Sequence, residues 1–320
     1  MKYSRWLALG ALWLCTSAVA GSFPDKPIKL VVPLAPGGST DMVARMLGEK
    51  MGQALGQPII IENRPGAGGS IGSDYVAKSA PDGYSLLMGT IGTLAVTPSL
   101  YRSLPYDSDR AFAPISLTTG AQFVLVVNPA VQARTLGELL QRIKQNPGKL
   151  NYGSAGNGST PHLGMELLQQ TTRTQITHVP YRGSGPMISA LLGGEVQMGM
   201  PDLPSALPYI KAGKLVALGV TSTQRAVTAP DIPTLAESGV QGFDVVSWLG
   251  ILAPAGTPRA IVDTLNRAAV GALQDKAMQA RLAESDISVY ASTPDDFAAY
   301  ILSERKKWDD IVKLSGATIN

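Results

Sequence analysis

The chain has 320 residues, with 27 Lys and Arg against 24 Asp and Glu and a single cysteine. So even a charge balance excludes the electrostatic footprint of a nucleic-acid binder, and one cysteine excludes a disulfide framework within the chain. The length is enough for one large or two medium domains with a core of their own.

Residues 1–20 read as a cleaved secretory signal peptide: Lys2 and Arg5 form a positive start, Trp6 to Cys15 an apolar centre, and Ala18-Val19-Ala20 a small-residue cleavage site. The centre is too short to span a bilayer. Trp13 and Leu14 precede Cys15 where a lipoprotein signal needs small residues, so cleavage is expected after Ala20, with export to the periplasm. The cut leaves 25 basic against 24 acidic residues and no cysteine.

From residue 28 the chain alternates strand-like and helix-like stretches. The β-branched run 28–32 predicts a buried strand. An amphipathic helix follows through Val43, Leu47 and Met51 to Leu55, with Ser39, Thr40 or Asp41 as its N-cap. Further strands are expected at 58–62, 86–90, 115–118 and 123–127, with a helix over 70–79. Thr135 and Glu138 have capping-box spacing and open a helix ending near Pro147. A strand at 150–152 leads to a loop and a helix starting at Pro161 with Thr160 as its N-cap. Strands at 176–179, 195–198, 215–221 and 248–252 enclose helices at 185–192 and 205–212. The C-terminal portion reads as helical, with one helix starting at Thr257-Pro258 and another at Thr293-Pro294. The alternation predicts an α/β architecture with largely parallel sheets.

Two loops share a design. Ala35-Pro36-Gly37-Gly38-Ser39-Thr40-Asp41 and Ser154-Ala155-Gly156-Asn157-Gly158-Ser159-Thr160 each follow a strand, hold glycine and hydroxyl residues, and end at a helix start. Backbone N–H groups there lack helical partners, and the helix dipole favours negative charge. Facing one another, the loops could hold a carboxylate with no Lys or Arg. Alternatively they are tight turns whose polar residues cap helices. Thr90, at a strand end, is a further pocket candidate. Tyr181-Arg182-Gly183-Ser184-Gly185 reaches a ligand or only turns the chain, and Trp248 packs in the core or lines the cleft, the core being the preferred reading.

Competing chemistry is thin. Ser70 sits in a G-x-S-x-G pattern, yet a long loop separates it from the preceding strand. His162 and His178, the only histidines, read as structural. Gly66, Gly68 and Gly72 miss a dinucleotide fingerprint, the second glycine loop lacks a phosphate-binding lysine, and no residues cluster with metal-ligand spacing. No cofactor and no catalysis are expected. On spacing alone Asp202 and Asp244 are surface or capping acids.

The chain resembles the extracytoplasmic receptors of tripartite tricarboxylate transporters, the Bug receptors. The matching stretches include Ala35-Pro36-Gly37-Gly38-Ser39-Thr40-Asp41, Glu62-Asn63-Arg64-Pro65-Gly66-Ala67-Gly68-Gly69, Ala80-Pro81-Asp82-Gly83-Tyr84, Tyr152-Gly153-Ser154-Ala155-Gly156 and Ala253-Pro254-Ala255-Gly256-Thr257-Pro258. The resemblance implies a two-lobed, type II periplasmic-binding-protein-like fold. Residues 23–122 and 250–320 would form lobe one and 123–249 lobe two, with a two-segment hinge near 123–127 and 248–252. It also implies that the two glycine loops close on a ligand carboxylate, adds the Asp202 loop to the ligand-facing set, and makes the partners a small organic acid and inner-membrane permease subunits, with the receptor a monomer. Leu34 stands where many relatives have Phe, and Met200-Pro201-Asp202-Leu203 where they often read Phe-Asp-Asn-Leu. The alternatives are a sensory binding protein docking on a membrane kinase and a secreted hydrolase built on Ser70.

Overall fold

The computed structural model describes residues 23–101, 103–181 and 183–315. The segment read as a signal peptide lies outside them, as does Arg182.

The chain opens with β1 (Ile28–Val32), α1 (Ser39–Leu55), β2 (Ile59–Asn63), α2 (Ser70–Ala77) and β3 (Ser85–Thr90). In β1 the pleat sends Leu30 and Val32 to one face and Val31 to the other, and all three are fully buried. A strand covered on both faces needs such a continuous apolar run. A π-helical turn (Gly92–Val96) and α3 (Thr97–Leu100) lead to the long β4 (Phe112–Gln122).

The chain then leaves the first sheet at Phe123 and enters the second as β5 (Val124–Val127). There follow α4 (Leu136–Gln145), β6 (Asn151–Ser154), α5 (Thr160–Thr172), β7 (Thr177–Pro180), α6 (Ser184–Gly193), β8 (Met198–Gly199), α7 (Leu203–Lys211) and β9 (Val216–Val220). Thr135 caps α4 by accepting the Glu138 N–H, and the Glu138 carboxylate takes the amide of Arg134, one residue earlier than a capping box requires.

The return is β10 (Val246–Pro254), then α8 (Arg259–Leu273), α9 (Lys276–Glu284), β11 (Ile287–Val289) and α10 (Pro294–Ser315). The C-terminal portion is therefore not purely helical. The helix expected from 257 breaks where Asp275 accepts the Met278 N–H and starts α9. β11 is three residues long, too short for an alternating pattern to show.

The first sheet has the order β11-β4-β10-β3-β1-β2, the second β7-β6-β8-β5-β9. Both are mixed rather than mostly parallel. β1 lies parallel to β2 and β3, and β6 parallel to β7 and β8, whereas β4, β5, β10 and β11 pair antiparallel. The antiparallel strands include those that carry the chain out of the first sheet and back. β10 joins its sheet at Val246, four residues before the boundary expected from the sequence. The two passages are tied together: the Thr221 hydroxyl accepts the Phe123 N–H at 3.0 Å and lies 2.6 Å from the Val245 carbonyl.

Helices α1 and α8 cover one face of the first sheet through Val43, Leu47, Met51, Val262 and Leu265. On the other face Trp248, Phe297 and Trp308 are fully buried. Trp248 donates its indole N–H to Glu304 at 2.8 Å, which confirms it as a core residue. Helix α10 also packs on α5 of the second unit.

A methyl group at Gly250 of β10 would collide with the Phe297 ring. Gly250→Ala should therefore lower stability by about 1–3 kcal/mol, the usual cost of overpacking a filled core, read as a reduced denaturation midpoint.

Candidate functional site

Both glycine loops leave the carboxyl ends of strands, β1 and β6, and both end at helix starts, where ligands of open α/β sheets sit. They open onto one cleft of about 860 Å³. Ala35, Pro36, Gly37, Gly38, Ser39 and Thr40 line it from one side. Ala155, Asn157, Gly158, Ser159 and Thr160 line it from the other, joined by Thr90 and Asp202. Asp41, Ser154 and Gly156 do not reach its lining; they act behind it.

At the first loop, Gly37 takes a positive φ of 89°, which glycine tolerates. The N-cap of α1 is Gly38, not Ser39, Thr40 or Asp41, and no side chain caps the helix. The amides of Ser39, Thr40 and Asp41 thus lack intrahelical acceptors. Asp41, within the first turn, turns back instead. Its carboxylate accepts the Gly37 N–H at 3.1 Å, two bonds from Arg45 at 3.0 and 3.1 Å, and one from Asn63 at 3.0 Å. The Arg45 guanidinium, with the Gly37 and Asn63 donors, holds this carboxyl below the usual carboxylate range despite its burial. Asp41 is a brace for the loop, and that is why it cannot cap.

The second loop is pinned more heavily. Ser159, not Thr160, caps α5: its hydroxyl accepts the His162 N–H and donates to the Gly156 carbonyl at 2.7 Å. Ser154 Oγ accepts the Gly156 N–H at 3.1 Å, and the Ser159 N–H goes to the Gly156 carbonyl. Pro161 has no amide proton. Among the described residues of this loop, the donors left for the cleft are the Ala155 N–H, the Asn157 amides and the Thr160 N–H and hydroxyl.

Among the described residues lining the cleft, Asp202 is the only charged side chain, and no Lys, Arg or His joins it. Asp202 caps α7, accepting the Ser205 N–H at 3.2 Å and the Ser205 hydroxyl. Thr90 exchanges hydrogen bonds with Thr93: its amide donates to Thr93 Oγ1 and its hydroxyl accepts the Thr93 N–H. Gly183, Ser184 and Gly185 of the stretch after Tyr181 also line the cleft.

Sequence reasoning missed the apolar wall formed by Leu100, Tyr101 and Phe123, together with Ser247. Phe123 and Ser247 sit where the chain passes between sheets, a position that local patterning does not mark. It also treated the histidines as unrelated. They stack at 4.1 Å between ring centroids, and burial lowers both pKa values to about 4. Ser70 donates to the Ala67 carbonyl at 2.6 Å, and neither histidine is its partner.

Two mixed sheets joined by two crossing segments, with paired helix starts at one cleft, define a two-lobed type II solute-binding protein. The model of the tripartite tricarboxylate transporter family receptor matches residues 43–317. Protein BugT of Bordetella pertussis is 38% identical over 325 residues, covering all of both chains. An R. palustris protein solved with adipate superposes with a TM-score of 0.85 at 34% identity, over 93% of this chain and 100% of that one. MatC from Rhodopseudomonas palustris with bound malate gives 0.81 at 35% identity, over 91% and 100%. The chain belongs to the tripartite tricarboxylate transporter receptor family, whose members are solute-binding receptors and not enzymes.

Removing the Asp41 brace should cost about 1–3 kcal/mol, the scale for stranding hydrogen bonds to a charged group. Because its pKa is depressed, the brace contributes fully above about pH 4 and is lost as the pH falls through its lowered value. Asp41→Ala should therefore lower the denaturation midpoint at pH 7 and flatten its decline between about pH 5 and 2.

Proposed function

We propose that this protein is a periplasmic receptor that captures a small organic carboxylate between two lobes, built on the two sheets, and passes it to inner-membrane permease subunits. The observation that carries this reading is the pairing at one cleft of an uncapped helix start, at Ser39–Thr40, with the Asn157 and Thr160 donors opposite. Hydrogen bonds to a charged acceptor contribute about 1.5–3 kcal/mol each, so three or four support micromolar capture after the cost of association. The carbon body of the ligand lies against Leu34, Leu100, Tyr101 and Phe123. Relatives solved with adipate and with malate support a carboxylate, and the family supports the permease as recipient. Export follows from cleavage after Ala20.

A thermal-shift series with adipate, malate and other small acids at fixed salt tests the reading. At a hundredfold excess over the dissociation constant a ligand adds about 2.7 kcal/mol, so a true ligand raises the melting temperature. Gly38 has an extended backbone (φ −86°, ψ 174°), and a Cβ added there meets no atom within 4 Å. Gly38→Val should fold normally, project over the α1 amides and remove the ligand shift. Retention of the full shift in this variant would refute the assignment of the first loop.

A further inference from the structure

Behind the second loop lies a column of rings that the ligand reading leaves unused. Tyr152 of β6 stacks on His178 of β7 at 4.8 Å, and His178 stacks on His162 of α5 at 4.1 Å, each pair within 20° of parallel. The column touches the loop at two points. His162 Nδ1 accepts the Gly158 N–H at 3.1 Å, and His178 Nε2 lies 2.6 Å from Ser154 Oγ, the atom that accepts the Gly156 N–H.

We propose that His162 is a positioning residue for ligand capture: its unprotonated Nδ1 holds the Gly158 amide and thereby fixes the outward aim of Asn157 and Thr160, so protonating it releases the second loop. The proposal rests on the carboxylate reading above for its consequence in binding, but its structural part stands alone. A ring nitrogen that accepts an amide proton carries none of its own. Were it protonated, two N–H donors would face each other at 3.1 Å, and the loop would have to move. The loop's other bonds join Gly156 to Ser154 and Ser159, the Gly183 N–H to the Ala155 carbonyl and the Tyr181 N–H to the Ser154 carbonyl; among the described residues only His162 holds the amide of Gly158, which sits at a φ of 73°.

The groups around the column keep the pair neutral. Burial accounts for the low pKa of His162. For His178, burial acts first and the neighbouring His162 second, while Glu166 of α5 opposes them weakly and is itself bonded to the Tyr152 hydroxyl and Gln169. From α10, which packs on α5, Glu304 and Lys307 pair with one another. A histidine with a depressed folded pKa contributes stability that is complete above about pH 6.5 and lost as the pH falls through about 4.

Two substitutions separate the acceptor from the ring. His162→Phe keeps a flat buried ring without Nδ1, whereas His162→Asn places an amide oxygen near the Nδ1 position that cannot take up a proton in this range. In full-length mature protein labelled with ¹⁵N, a coupling across the hydrogen bond should link the Gly158 amide to His162 Nδ1, and it should vanish as His162 titrates. With adipate as the probe, His162→Phe should weaken binding about tenfold, the equivalent of one hydrogen bond, and His162→Asn should restore most of it. The affinity ratio of wild type to His162→Asn, in which titration of adipate itself cancels, should fall as the pH drops from 7 towards 4. Absence of the coupling in wild type, or a ratio that is flat with pH, overturns the proposal. If adipate fails to bind wild type, the acid giving the largest thermal shift replaces it as the probe; if no acid in the series binds, the ligand reading fails on its own and the coupling measurement alone judges His162. Should His162→Phe not fold, the wild-type coupling and His162→Asn still decide.

Discussion

The arrangement depends on amides left without acceptors. A helix start normally recruits a side chain to close its first turn, and α1 does not. Its cap is a glycine, which contributes no oxygen, and the one acid in its first turn is drawn away by Arg45 and Asn63. The result is a cluster of oriented dipoles exposed at the mouth of a cleft. Such dipoles carry no mobile charge and need no reorganisation to meet an anion. The absence of described cations in the lining follows the same logic, since a guanidinium there would hold the anion in their place.

Holding an open turn in one shape requires support from behind, and the two loops obtain it differently. The first is held by the Asp41–Arg45 ion pair, with Gly37 and Asn63 as hydrogen-bonded flanks. The second is held by hydroxyls and imidazoles packed between β6, β7 and α5. Apart from Ser159, which also lines the cleft, these bracing groups lie outside its lining, so some residues that look like ligands in the sequence serve as scaffolding in the structure. Asp41, Ser154 and Gly156 belong to that group, while their neighbours Thr40, Ala155 and Asn157 meet the open space.

Much of this was legible because strands buried on both faces and helices with one apolar stripe write their periods into the chain. β1, α1, α4 and the two glycine loops were found within a residue or two. The cap of α5 was placed one residue late and that of α1 one to three residues late. A Ser, Thr or Asp beside a helix start can cap it or brace its loop, and local sequence does not say which. β11 was missed because its ladder is supplied by the distant β4, and the break at Asp275 because an acid inside an amphipathic run can sit on the helix surface or, as here, cap a new helix. The histidine stack was invisible for a related reason. Residues 162 and 178 meet only because a helix packs over parallel strands, a relation with no period.

Helix α10 touches both halves of the molecule, lying on β4 and the Trp248 side of the first sheet and also on α5. Its buried Glu304 takes the indole protons of both Trp248 and Trp308. Any rotation of one sheet relative to the other must slide this helix along one of its two seats while the other stays fixed. Such a rotation would then be no free pivot at two peptide crossings: its travel would be limited by how far the side chains between α5 and α10 could slip without leaving a void.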